Sequence, residues 1–218
     1  FYNQKCISFK AILNGMPEKR AYEIFKHVGP LALLPLSSNI YQVIWFSSKL
    51  DTSLKLNLSN KELLEKLRND LPNNVKPEKI ISNISTFSVA KAFAFTKFSK
   101  FKNILVGESA HSFHPVGGQG LNSCIRDVYE LSSMIKSYEN SSALYRNFFG
   151  LSYFLKRFID IISLILFTDF LIKFFSNKLF FLYPLRYLIF LSMRKIKFIR
   201  INIFSVMTDS IKRYDFKK

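Results

Sequence analysis

Acidic side chains are scarce in this chain of 218 residues: 15 Asp and Glu stand against 32 Lys and Arg, a formal net charge of +17. An excess of that sign shapes solubility and partners rather than fold. Cysteine is rarer still. Cys6 and Cys124 lie far apart, which excludes a disulfide scaffold and any C-x-x-C zinc or redox site. Seven Gly and seven Pro exclude collagen-like, mucin-like and linker compositions. No apolar window reaches the roughly 18 uncharged residues a spanning helix needs. The longest, Ile161 to Thr168, is bounded by Asp160 and Asp169. A leader-peptide pattern is missing behind Phe1, and a chain that opens on Phe rather than Met reads as a fragment of a longer frame.

What is plentiful excludes disorder. Hydrophobic residues make up 49% of the chain and aromatics 16%, with 24 Phe. That is enough to bury a real core, and the length allows one or two domains.

Residues 1–98 read mostly as strands. Leu31 to Leu36, entered through Gly29-Pro30 and closed by Ser37-Ser38-Asn39, pairs as a hairpin with the β-branched and aromatic run Ile40 to Ser47. Phe87, Val89, Phe93 and Phe95 share one parity and predict a further strand, although Lys91 sits on the same face. One helix interrupts the strands. Ser59-Asn60-Lys61-Glu62 is a capping box, Leu63, Leu64, Leu67 and Leu71 line one face, and Pro72 marks the stop. This alternation predicts a mixed sheet covered on one side. In residues 99–137, Asn103 to Gly107 is a short buried-strand pattern. A Gly-bearing loop follows, then a helix through Ile125, Val128, Leu131, Met134 and Ile135. Residues 138–218 read as helical, apolar and basic. From Leu151 onward there are 13 Lys and Arg against four Asp, and 12 of the 24 Phe.

The chemistry is concentrated between Gly107 and Asn122. A strand end with an acidic residue, Glu108, leads into a Gly-rich loop that opens a helix. Amides at a helix N-terminus attract anionic or carbonyl-bearing groups, and glycine lets a flat ligand approach the backbone. A carboxylate at the end of a strand is placed to accept sugar or polyol hydroxyls. A flavin needs both elements.

The run resembles the second FAD-binding motif of the class A flavin monooxygenases, the para-hydroxybenzoate hydroxylase type, written G-D-A-A-H-x-x-x-P-x-x-G-Q-G-x-N-x-G-x-x-D. It matches at Gly107, Ala110, His111, Pro115, Gly118, Gln119, Gly120, Asn122 and Asp127, and departs at Glu108, Ser109 and Cys124. Ala21 to Phe25 with Gly29 to Leu36, then Trp45 and Phe167-Thr168-Asp169, is similar to the ubiquinone-biosynthesis hydroxylase branch. The N-terminal βαβ unit with its G-x-G-x-x-G fingerprint has no counterpart here.

The resemblance implies an α/β fold, the C-terminal portion of an FAD/NAD(P)-binding two-domain architecture. Residues 1–98 would be the substrate-domain sheet with one helix, 99–137 the C-terminal part of the FAD domain, and 138–218 a basic helical region contacting a membrane. It implies an FAD-dependent aromatic-ring hydroxylase of ubiquinone biosynthesis working through a flavin C4a-hydroperoxide. The cofactor carries the chemistry, so no catalytic side chain is expected. Glu108, one methylene longer than the family Asp, would bond the ribityl chain. Pro115 would sit against the flavin ring, and the backbone of Gly118, Gln119, Gly120, Leu121 and Asn122 would bind the pyrimidine edge, with Gly107 at the turn. The implied partners are a polyprenylated aromatic quinone precursor, an electron donor such as NAD(P)H, a membrane surface, and a separate N-terminal half or other ubiquinone-biosynthesis proteins. The implied location is cytoplasmic, peripheral on the inner face of a membrane. Alone, the chain is expected to bind FAD poorly. Two alternatives stand: a hydroxylase of a soluble aromatic, and a non-catalytic remnant that binds a membrane surface or a partner.

Other readings of the same residues are weaker. His111 and His114 have the H-x-x-H spacing of a metal pair, with a later Cys124, but no second acidic or Cys ligand lies nearby. Gly107-x-Ser109 is followed by His111 where a nucleophile elbow requires Gly. Asp127 reads as a helix-surface or capping residue rather than a catalytic acid. In the basic tail the aromatics fall among Leu and Ile, as in Leu179-Phe180-Phe181-Leu182-Tyr183. That pattern favours a packing or membrane-facing surface over nucleic acid. A compositional bias of the source genome would produce the same abundance of Phe and Lys.

Overall fold

The computed structural model describes residues 3–17, 19–94, 104–138 and 148–208, the side chains as far as 203. The chain forms two compact units, residues 1–89 with 171–178, and residues 90–170 with 179–218.

The first unit is a six-stranded sheet. Strands β1 (Gln4–Asn14), β2 (Tyr22–Lys26), β3 (Gly29–Pro35), β4 (Ile40–Ser48) and β5 (Lys76–Ile80) lie in the order β2-β3-β4-β1-β5, and β6 (Ser85–Ser88) also pairs with β1. The expected hairpin is present, with Leu31 opposite Trp45 and Leu33 opposite Val43. Gly29 opens it at φ +144, where a Cβ would lie 2.8 Å from the Phe46 carbonyl oxygen, so only glycine fits. The sheet expected to be mixed is antiparallel in every described ladder. The crossover after β4 delivers β5 beside β1, not beside β4, so β4 and β5, which run the same way, never touch.

One face of the sheet carries Ile7, Phe9, Tyr41, Val43 and Trp45, all 2% exposed or less. Helix α2 (Asn60–Asp70) covers it with Leu63 and Leu67. The Ser59–Glu62 capping box forms as its spacing predicts. A helix the pattern does not announce, α1 (Lys49–Leu56), precedes it. Its buried residues are Thr52 and Lys55, while Leu50 and Leu54 are exposed, so apolar periodicity is silent there. The Lys55 ammonium lies 3.7 Å from the centre of the Trp45 ring and 2.7 Å from Asp51 Oδ2, a cation–π contact backed by an ion pair.

The single strand expected through Phe87, Val89, Phe93 and Phe95 is two. β6 belongs to the first unit, whereas β7 (Ala92–Phe93) pairs with β8 (His111–Ser112) in the second. Lys91 explains the break: its ammonium pairs with Asp169, so the residue leaves the apolar parity. Phe95 lies outside the described residues. The strand expected at Asn103 to Gly107 is not formed over 104–106, where no described strand lies alongside to take its hydrogen bonds.

The second unit is mainly helical: α3 (Gln119–Tyr138), α4 (Phe149–Phe175), whose residues from 171 group with the first unit, α5 (Tyr183–Lys195) and α6 (Lys197–Thr208). Tyr153, Phe154, Arg157, Ile161 and Leu164 form the buried stripe of α4. Met134 of α3 and Ala110 pack against Tyr153 and Phe154. Among the described residues no helix is long and apolar enough to cross a membrane.

Candidate functional site

Val106 is extended and Gly107 turns sharply at φ +64, starting a single 3-10 turn over Gly107–Ser109. The Ala110 amide closes it on the Gly107 carbonyl at 2.9 Å, and the Ser109 hydroxyl donates to the Val106 carbonyl at 2.8 Å. The chain then passes through β8 to His114-Pro115 and a second 3-10 turn, Val116–Gly118, in which Gly117 and Gly118 take φ +74 and +64. Two consecutive left-handed residues are why glycine is doubled here. Helix α3 starts directly at Gln119, so its first amides emerge at the loop without intrahelical partners.

A buried charge chain fixes this loop from behind. Asp127, on α3, is fully buried, not the surface position that its place in the sequence suggested. Its Oδ2 accepts the Gly107 amide at 2.8 Å and meets His111 Nε2 at 2.7 Å, while Oδ1 accepts Arg157 Nε at 2.7 Å. Arg157, from α4, also donates to Asp160 Oδ2 at 2.6 Å, and Arg126 Nη1 lies 3.7 Å from Asp160 Oδ1. Burial by itself would raise the Asp127 carboxyl. The hydrogen bond and charge of His111, with the charge of Arg157, outweigh it and hold the group below the usual carboxylate range. Arg157 is 1% exposed, and its two carboxylate partners overcome burial to keep it firmly protonated. The His111 ring stacks on Phe113 at 5.7 Å.

His114 is also buried, and burial, only partly opposed by the charge of Asp169, lowers its imidazole to about 4. The neutral ring accepts the Val116 amide at Nδ1, 3.1 Å away. The two histidines that share metal-ligand spacing are thus engaged separately, one on a carboxylate and one on a backbone amide.

The residues the motif singles out fall into two groups. Gly107 and Gln119 are buried. Glu108, Pro115, Gly118, Gly120, Leu121 and Asn122 are exposed along one short path of loop and helix start. A Cβ added at Gly118 or Gly120 would meet nothing within 4 Å, so space lies open over both. Gln119 donates to the Gly117 carbonyl at 3.1 Å, but its Oε1 is buried with no partner among the described residues. Open space over glycine backbone, free helix-start amides and an orphaned acceptor fit a flat ring bearing carbonyls and an N–H, the chemistry of an isoalloxazine edge. Cys124 answers its departure from the motif: its sulfur would lie 3.1 Å from a Cβ at Gly107, so it fills the space beneath the turn. Burial, then the charge of Asp127, raises its thiol.

The motif names His111 and Asp127 but not their partners. Arg157 and Asp160 signal themselves only as an i, i+3 pair of opposite charge inside the apolar pattern of α4.

The family model of an FAD binding domain matches residues 5–144. The chain is 27% identical over 152 residues to the 3-demethoxyubiquinol 3-hydroxylase of Escherichia coli, covering 66% of this chain and 37% of that protein. It is 25% identical over 200 residues to the mitochondrial ubiquinone biosynthesis monooxygenase COQ6 of Dictyostelium discoideum, covering 76% and 39%. Its fold is similar to that of a Klebsiella pneumoniae HpxO variant complexed with FAD, at a TM-score of 0.59, 16% identity, and 96% and 54% coverage. The chain therefore spans little more than a third of the length of these two curated relatives.

Proposed function

Since this chain belongs to the FAD-binding monooxygenase family, whose cofactor is FAD, we propose that it forms the flavin-ring side of an aromatic-ring hydroxylase of ubiquinone biosynthesis. The observation that carries the reading is the open glycine path from Pro115 to Asn122, which follows the Gly107 turn and His111 that Asp127 holds. When bound, the flavin supplies the oxygen-transfer chemistry. This chain's residues would position it. The amides from Gln119 to Asn122 would hold the pyrimidine edge, while the Gly118 amide is already given to the Pro115 carbonyl at 2.9 Å and leaves that glycine to supply open space. Pro115 would lie against the ring, and Glu108 would reach toward the ribityl hydroxyls. His111, Asp127 and Arg157 touch none of these and act as positioning residues.

The substrate is a polyprenylated aromatic quinone precursor, and the reductant is a donor of the NAD(P)H class. The dinucleotide fingerprint is supplied by another segment. The outward stripe of α3 supports this, since Leu121, Ile125, Val128 and Ile135 are each at least half exposed and spaced as one helix face. The working location is the cytoplasmic face of a membrane.

Titrating the purified chain into FAD and into FMN, with flavin fluorescence as readout, tests the reading. Weak binding with little preference between the two flavins is expected, because the loop holds the ring and not the adenine. Gly120→Val is expected to weaken it about tenfold by filling the open space, and Gly118→Val at least as much, because it adds backbone strain at a left-handed φ. Tight FAD binding with FMN excluded would overturn the divided site. Equal binding by the valine variants would overturn the loop assignment.

A further inference from the structure

The C-terminal part of the second unit carries a surface the flavin reading does not use. From Leu179 to Thr208 the sequence holds five Lys and Arg and no acidic residue. Eleven large apolar side chains between residues 179 and 201 are 47% to 79% exposed, foremost Phe180, Phe198, Tyr187 and Phe181. Arg186 is the one buried residue of α5, lying 5.2 Å from the Tyr183 ring, and its burial leaves the aromatic side chains outward. Arg194, Lys195, Lys197 and Arg200 are exposed at the α5–α6 junction.

We propose that α5, α6 and the turn before them lie in the interface of an anionic phospholipid bilayer, with Phe180, Phe181, Tyr187 and Phe198 in the acyl boundary and the junction cations on the headgroups. Three observations commit the surface to this occupant. The complete lack of acidic residues over the 30 consecutive positions from Leu179 to Thr208 suits a surface of one sign. A protein partner would meet a patch without a single carboxylate to pair. The exposed set also includes Leu185, Leu188, Ile196 and Ile201, aliphatic groups that gain from hydrocarbon and offer nothing to a nucleobase stack. And no described helix is built to span, so the helices lie along the interface.

The inference rests on this surface and not on the flavin loop, although a membrane-lodged substrate would profit from it. Flotation of the full chain with phosphatidylcholine vesicles, and with vesicles containing about one-third phosphatidylglycerol, tests it without any flavin. Partitioning is expected to rise at least tenfold, as an order of magnitude, with the anionic lipid and to fall at high salt. Phe180→Ser with Phe198→Ser is expected to abolish flotation. Neutralising Arg194, Lys195, Lys197 and Arg200 to Gln is expected to remove the preference for anionic lipid. Emission of the buried Trp45 and the far-ultraviolet circular dichroism should be the same in all variants, which separates lost binding from lost fold. No flotation with either vesicle, equal flotation with both, or competition by single-stranded RNA but not by anionic vesicles would overturn the proposal.

Discussion

Two helical regions of the second unit treat charge in opposite ways. Around α3 and the first half of α4, cations and carboxylates alternate inside the protein: Arg126, Asp160, Arg157, Asp127 and His111 are each at least nine-tenths buried and joined by contacts of 2.6 to 3.7 Å. Along α5 and α6 the cations have no acidic neighbours in sequence, and all but Arg186 point outward beside exposed aromatics. Charge can be buried only where a partner of opposite sign and hydrogen bonds replace the lost water. The acid-rich half can therefore build an interior that fixes a loop, and the acid-free half can build only a surface.

The sharpest way to break the comparison is to remove one partner from the buried chain. Arg157→Leu takes from Asp127 and Asp160 the guanidinium they share, leaving Asp160 only Arg126 at 3.7 Å and Asp127 only His111 as side-chain partners, and Asp127→Asn leaves Arg157 with half its compensation. Each is expected to cost about 3–5 kcal/mol in urea unfolding. Because the chain acts as a unit, the double variant should cost clearly less than the two added together. Simple additivity would mean that the carboxylates and the guanidinium act independently.

Acid should separate the same two regions. His114 is lowered to about 4 from an ordinary 6.5. Its neutral form belongs to the folded state, so stability is complete above pH 6.5 and falls as pH drops from 6.5 to 4, by about 3 kcal/mol. Asp127, held below its ordinary range, adds a second loss of the same sign at lower pH, as the carboxylate protonates in the folded state. Unfolding midpoints measured between pH 7 and 4 should slope for the native chain and flatten for His114→Asn, whose amide oxygen can still accept the Val116 amide. Helices α5 and α6 hold no group that titrates in this window. A slope unchanged in the variant would place the titration elsewhere.

A smaller effect is expected at the turn itself. Gly107→Ala puts a Cβ at a left-handed φ and 3.1 Å from the Cys124 sulfur. Together these are expected to cost about 1–2 kcal/mol in the same urea assay. Cys124→Ala in that background should recover the steric part and leave the backbone part. Full recovery would show that crowding, not φ, selects glycine at this position.

How far the sequence reveals each region follows from the same physics. The Leu31–Leu36 and Ile40–Ser47 hairpin and the Ser59 capping box are local, set by turn residues and by a side chain reaching three positions along. Both are read directly from the letters. Helix α1 is hidden because it buries Thr52 and Lys55 and exposes Leu50 and Leu54, the reverse of an apolar pattern. The division of Phe87 and Phe93 between two sheets depends on where Lys91 finds Asp169, 78 residues away, which no local window contains. At the site, glycine spacing marks the loop, but the burial of Asp127 depends on Arg157 arriving from another helix. A lone carboxylate read in sequence looks like surface for that reason.

The smallest expected effect is the most informative about the acid-free region. Phe180→Ser and Phe198→Ser remove large apolar side chains that are 79% and 74% exposed, with little packing to lose. Each is expected to change folding stability by no more than about 0.5 kcal/mol, the range of ordinary surface positions. Ser in place of Phe within a core would instead cost several kcal/mol. Urea midpoints that stay put while vesicle flotation disappears would mean that these rings serve association and contribute nothing to the fold. A loss near 3 kcal/mol would mean that they are buried in solution, by a second copy or another part of the protein, and the contrast between an interior built on paired charge and a surface built on unpaired charge would fail at its second half.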